Sequence, residues 1–213
     1  MKKHIVVLCV IELILITFFQ VCFAFPDLYM VKKDKYGKEE IVPHYAIREI
    51  TQATNIKVIS GYPDGTFRPN ETISREEFIK MLMVLATNRT FDFASVESNY
   101  NSWAGPYITI AEMQGVIEKG IYTDESLKKP ITRLEMVLML SKTQIRMKGI
   151  PQNQIGSLVY TDINNLTDEE KDLLLHAVKY DLLEGMKEGT NKLFEPNKNL
   201  TRGEAAAALM RIY

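Results

Sequence analysis

Gly61-Tyr62-Pro63-Asp64-Gly65-Thr66-Phe67-Arg68-Pro69, followed after three residues by Ile73-Ser74-Arg75-Glu76-Glu77, is the stretch from which the rest of this chain is read. A proline followed by Asp-Gly marks a tight turn, Phe67 supplies an apolar plug, and Pro69 stops any helix from starting early. Ser74 then has the makings of an N-cap. Its oxygen can accept a backbone N–H of the first turn, and Glu77, three residues on, can reach back to complete a capping box. Ile73 can staple onto Phe78, and Phe78, Met81, Leu82 and Leu85 recur at helical spacing. The stretch predicts a loop followed by a capped amphipathic helix.

The phrase recurs twice. Ile131-Thr132-Arg133-Leu134-Glu135 and Leu200-Thr201-Arg202-Gly203-Glu204 repeat its form, with the arginines 58 and then 69 residues apart. Each opens an apolar helical run: Met136, Val137 and Leu140 in one, Ala205 to Ala208, Leu209 and Ile212 in the other. Upstream of each phrase lies a further helical stretch, near 45–58, 103–117 and 168–183, the last with its own capping box in Thr167 and Glu170. Gly61, Gly120 and Gly185 follow these ends, where glycine relieves left-handed backbone. The third copy keeps Phe194 and Pro196 at the distances from Arg202 that Phe67 and Pro69 hold from Arg75. The second copy has lost the Asp-Gly turn and the phenylalanine. The expected fold is all-α: three helix–loop–helix repeats at 25–88, 89–148 and 158–213, joined by polar linkers. Residues 29–43, rich in Lys and Glu, form a long approach to the first repeat.

Residues 1–24 are a different material. Lys2 and Lys3 precede an apolar run from Ile5 to Phe19, with Glu12 inside it, and then come Gln20 and the small-residue end Cys22-Phe23-Ala24. That is the order of a secretory signal peptide cleaved after Ala24. Left uncleaved, the segment is about long enough to span a bilayer. Either way the remainder is expected to be exported. Both cysteines, Cys9 and Cys22, lie in this leader, so the rest has no disulfide, thiolate nucleophile or cysteine metal site. Removing Lys2, Lys3 and Glu12 leaves 24 basic and 26 acidic residues, a balance that argues against nucleic-acid binding.

Three arginines stand at the first helical position, against the local field. A cation there is unfavourable by ~0.3–1 kcal/mol. Repeated three times, the placement has two readings. A capped helix start with free N–H groups and an adjacent guanidinium is a pocket for carboxylate or phosphate. Alternatively, each arginine pairs with an acid of a neighbouring repeat and clasps the units together. Both readings stay open from the residues alone.

The remaining features are plainer. Trp103, which starts an apolar helix face, is expected in the core rather than as a sugar-stacking platform. His44 and His176 read as surface or helix-end residues, not metal ligands. Glu76/Glu77 and Glu169/Glu170 lie in first helical turns, where the dipole favours them, and not as a general acid–base pair. No catalytic residue, metal or cofactor is expected.

The loop-and-cap phrase of the first repeat, residues 61–77, resembles the signature of the S-layer homology family nearly end to end. Residues 131–135 and 200–204 are similar to that family's Thr-Arg-Ala-Glu motif. Phe25-Pro26-Asp27-Leu28 and Tyr160-Thr161-Asp162-Ile163 resemble its Phe-x-Asp-Val openings; His44-Tyr45-Ala46 and Ser102-Trp103-Ala104 resemble its His-Trp-Ala helix start. The resemblance implies a pseudo-threefold spindle around a central three-helix bundle, and a non-catalytic anchor at the bacterial cell wall. The ligand it implies is an anionic, often pyruvylated, secondary cell-wall polysaccharide attached to peptidoglycan. The residues implied at the glycan are Arg75, Arg133 and Arg202, with Ser74 and Thr201 beside them and the Asp64-Gly65 loop lining one groove. The family's usual glycine at the end of the first helix is replaced by Lys57 and by Asp181. The other reading of such an exported chain is a scaffold whose repeats bind a protein partner or S-layer subunits.

Overall fold

The computed structural model describes residues 25–88, 90–150, 156–182 and 193–213. The expected leader at 1–24 and Gly185 lie outside them. The three motif phrases each open a helix: α2 (Arg75–Ala86), α5 (Arg133–Lys148) and α7 (Arg202–Ile212). Their capping boxes form as the sequence requires, with Ser74, Thr132 and Thr201 accepting from the backbone N–H of Glu77, Glu135 and Glu204. The upstream helices are α1 (Ile47–Asn55), α3 (Gly105–Met113) and α6 (Asp168–Lys179), the last capped by Thr167 and Glu170.

These helices pack in cyclic order. Each upstream helix lies on the motif helix of the preceding repeat: α3 on α2, α6 on α5, and α1 on α7. The three motif helices also touch one another pairwise. At their mouths the residues before the caps close a hydrogen-bonded ring. Ile73 N–H donates to Leu200 O, Leu200 N–H to Ile131 O, and Ile131 N–H to Ile73 O, at 3.1, 3.2 and 3.0 Å. Burying three backbone segments at a junction requires such pairing, because an unpaired buried amide is costly. The side chains of Ile73, Ile131 and Leu200 are fully buried in one shared core with Phe67, Phe78, Leu127 and Phe194.

The loops are hung from acids upstream. Asp27 accepts from the backbone N–H of Phe67 and Arg68, and Asp162 accepts from those of Phe194 and Glu195. Phe25 packs 5.4 Å from Phe67, and Tyr160 packs 5.7 Å from Phe194. This is the physical content of the Phe-x-Asp opening: the aromatic meets the plug and the carboxylate holds its backbone. Gly61 is required by contact, since a Cβ there would strike the Phe25 ring and Thr66 O. The upstream helices end in left-handed residues at Lys57 (φ 59°), Gly115 (φ 68°) and Asp181 (φ 50°), so the two non-glycine positions adopt the glycine conformation. In the second repeat the lost turn is replaced by a short capped helix, α4 (Asp124–Leu127), which buries Leu127.

The all-α expectation needs one correction. Residues 29–43 form an antiparallel hairpin, β1 (Tyr29–Lys33) and β2 (Glu39–Pro43). Asp34 starts the turn by accepting from the N–H groups of Tyr36 and Lys38 at 2.8 and 2.9 Å, and Gly37 takes φ 80°. Val31, Ile41 and Val42 supply the β-branched pairs that favour the extended form.

Candidate functional site

Two of the three motif arginines serve as joints between repeats. Arg202 is 4% exposed. Its Nε donates to Phe67 O, Nη1 to Glu77 Oε1 and Nη2 to Ser60 O, at 3.0, 3.1 and 3.3 Å. Its guanidinium lies over the Tyr62 and Phe67 rings. Arg75 is less enclosed; Nε donates to Glu135 Oε1 at 2.7 Å and Nη1 to Ser126 O at 2.9 Å. Tyr122 donates its hydroxyl to the same Glu135 oxygen, and burial with that carboxylate pushes the phenol well above its ordinary range. For these two arginines the clasp reading is what the structure contains.

The first-turn amides are also taken. Arg75 N–H donates to Lys129 O, Arg133 N–H to Lys198 O, and Arg202 N–H to Glu71 O. Leu134 and Gly203 donate to Pro196 O and Pro69 O. The free N–H groups that the sequence reading placed at these helix mouths are therefore engaged by the adjoining repeat's loop. Ser74 and Thr201 are occupied as caps. Asp64 accepts from Thr66 and pairs with Arg68 at 2.8 Å, which holds its carboxyl well below the usual range; Gly65 supplies the φ of 81° for that turn.

Arg133 is placed differently. It lies over the Phe194 ring and lines a cavity of about 270 Å³ with Tyr45, Met136, Leu200, Glu204 and Arg211. A second depression of about 220 Å³, shared along Ala207 and Arg211, adds Arg48, Glu49 and Gln52. The two adjoin along α7, one towards α5 and the other towards α1, and make a groove with three arginines and two glutamates on its walls. Ala207 and Ala208 keep its floor low. Lys198 Nζ lies 3.2 Å from Glu204 Oε1, and Arg211 holds Asp181 at 2.9 Å. A larger cavity of about 430 Å³ between α5 and α6 has the opposite character: Ile121, Tyr122 and Leu138 line it, with Glu118, Glu135, Glu169 and Glu170 against a single Lys142. Charge favours an anion in the first groove and not in the second.

Three sequence expectations are corrected here. Trp103 is not in the core but 59% exposed, with Nε1 donating to Glu76 Oε1 at 3.1 Å. Tyr45, at the matching position of the first repeat, is 57% exposed. Both present an aromatic face at the start of an upstream helix. His44 and His176 do lie at helix ends, just ahead of α1 and in the last turn of α6, but they are buried rather than on the surface. His44 Nδ1 accepts from Ala46 N–H at 3.2 Å, and His176 Nε2 meets Gln144 Oε1 at 2.8 Å. Arg48 and Arg211 were not read from the sequence. Neither sits in a motif; the packing of α7 on α5 brings Arg211 beside Arg133, and that of α1 on α7 brings Arg48 beside Arg211.

The family model described as the S-layer homology domain matches residues 40–79 and 175–206. The chain is 27% identical, over 83% of its own length, to an amylopullulanase from Thermoanaerobacterium thermosulfurigenes. It is 30% identical over 77% of its length to an uncharacterized cell wall amidase from Bacillus anthracis, and 29% over 76% to S-layer protein EA1 of the same organism. It spans 9%, 30% and 18% of these three relatives, less than a third of any of them. With the family model matching the segments that hold Arg75, Glu77, Arg202 and Glu204, and with S-layer proteins among the relatives, the chain belongs to the S-layer homology family.

Proposed function

We propose that this chain is a non-catalytic anchoring module of the bacterial cell surface that holds an anionic secondary cell-wall polysaccharide in the groove beside Arg133. Its repeats, at 25–88, 89–148 and 158–213, would form a pseudo-threefold spindle around α2, α5 and α7. The cyclic packing of the helices and the Ile73–Ile131–Leu200 ring support that arrangement. The observation that carries the ligand assignment is the position of Arg133: the one motif arginine that lines the arginine-bearing groove, under an exposed Tyr45.

The chemistry is that of acidic-sugar recognition. A guanidinium offers two parallel donors to a carboxylate, Arg48 and Arg211 raise the local positive potential, and the Tyr45 ring offers a flat apolar face to a pyranose. Arg75 and Arg202 act one step back, holding the repeats in the register that builds the groove. Relatives named as S-layer proteins fit this placement at the wall.

Sedimentation with purified cell walls tests the reading. The chain is expected to pellet with intact walls and to stay in solution with walls whose polysaccharide has been stripped. Equal pelleting with stripped walls overturns it.

A further inference from the structure

Arg211 stands nine residues after the motif arginine Arg202, a place held by Val84 in the first repeat and Lys142 in the second. The left-handed residue that ends the upstream helix changes with it: Lys57 in the first repeat, Gly115 in the second and Asp181 in the third. Only the third repeat sets an arginine and an acid at this pair of places.

The two residues meet. Arg211 Nη1 donates to Asp181 O at 2.8 Å and to Asp181 Oδ2 at 2.9 Å. Two acceptors on one amino group engage both of its protons, which fixes the plane of the guanidinium as well as its distance. The side chain of Arg211 is 24% exposed and that of Asp181 is 80% exposed. Asp181 lines neither depression of the groove, whereas Arg211 lines both. The acid therefore stands at the end of α6, outside the groove, and holds an arginine that reaches into it.

Helix termination alone does not account for an acid there. Asp181 sits at φ 50°, in backbone that glycine enters without side-chain strain, as Gly115 does at φ 68°. Aspartate tolerates that region better than most residues, but an ion pair this exposed adds little to stability. What the side chain does is restrain Arg211.

We infer that Asp181 is a positioning residue for the glycan groove: its carbonyl and carboxylate oxygens hold the Arg211 guanidinium in the plane from which it meets an acidic sugar. The inference rests on the groove reading given above and names how one of the groove's cations is held. An unrestrained arginine gives up rotamer freedom when it closes on a ligand, whereas a restrained one has given it up on folding. The carboxylate also brings negative charge towards an anionic ligand, but at this exposure solvent and salt screen it. The two effects act on affinity with opposite signs, and the restraint outweighs the screened repulsion.

Binding isotherms on purified cell walls, run beside denaturant midpoints of the same variants, test the inference. Asp181→Gly relieves the left-handed backbone and removes one of the two acceptors. It is expected to keep or raise the midpoint while wall affinity falls about two- to fivefold. Asp181→Asn restores an acceptor at that place and should recover most of the loss. Added to Arg211→Ala, Asp181→Gly should weaken binding no further, because the group it positions is gone. Native or tighter binding by the glycine variant overturns the inference, as does a midpoint that falls together with affinity. An asparagine variant as weak as the glycine variant, or a further loss in the Arg211→Ala background, does the same. Arg133→Ala in the same assay separates the two levels. If it binds weakly while Asp181→Gly binds as the native chain does, the groove stands and the positioning role is lost; if it binds at native affinity, the groove reading itself fails.

Discussion

Arg75 Nε donates to Glu135 Oε1 across 2.7 Å, joining the motif arginine of the first repeat to the capping glutamate of the second. Arg202 and Glu77 repeat the relationship from third repeat to first. Each glutamate has two duties: Oε2 accepts from its own N-cap amide while Oε1 receives the neighbour's guanidinium. Helix start and repeat joint are thus one structure, which explains why Arg and Glu recur at fixed spacing.

The joint at Arg202 is the more buried, and its removal leaves Glu77 and two carbonyls without their donor. Arg202→Ala is expected to destabilise the chain by about 3 kcal/mol, seen as a fall in thermal midpoint of roughly 6–12 °C. Arg202→Lys should recover little, because an ammonium cannot reach three acceptors in one plane. A midpoint unchanged in the alanine variant would refute the joint.

Asp27 holds the first-repeat loop by two backbone N–H groups. Asp27→Ala should cost about 2–3 kcal/mol, and exchange of the Phe67 and Arg68 amides should quicken before the rest of the core. Unaltered exchange at those two amides would contradict the role given to the carboxylate.

Lys57 sits at φ 59° where glycine carries no side-chain penalty. Lys57→Gly is expected to raise stability by about 0.5–1 kcal/mol, measured by denaturant midpoint. A loss of stability would mean that its side chain contributes more than the backbone conformation costs.

His176 is buried, and desolvation, with Lys179 nearby, lowers its pKa below the ordinary 6.5. Its Nδ1 is buried with no hydrogen-bond partner among the described residues, so a second proton has no acceptor. Below about pH 6.5 the unfolded chain takes up a proton that the folded chain resists. Stability is therefore fully present above that pH and declines as pH falls through it. The thermal midpoint should drop between pH 7.5 and 5, and His176→Gln should flatten that part of the profile. An equal slope in the variant would assign the effect to other groups.

Much of this was legible in the sequence because it is local. Capping boxes and the Phe67 and Phe194 plugs depend on residues a few positions apart, and each formed where the spacing placed it. The destination of the arginines was not legible, since a guanidinium beside a helix mouth fits an external anion and a neighbour's glutamate equally well until the ring closes. Trp103 was misplaced because an aromatic at the head of an apolar run fits a core pattern, yet buried Glu76 holds its indole N–H outside. The hairpin left a signal that charge obscured: Val31 and Ile41-Val42 flank Asp34 and Gly37 at turn spacing, within a stretch dominated by Lys and Glu.

The central claim, that the Arg133 groove grips an acidic wall glycan, is met most directly by a binding isotherm of Arg133→Ala on purified cell walls. Loss of one charge-assisted contact of ~1.5–3 kcal/mol predicts affinity weakened roughly 10- to 100-fold, measured on the folded variant. Native affinity in that variant, with its fold intact, would contradict the account.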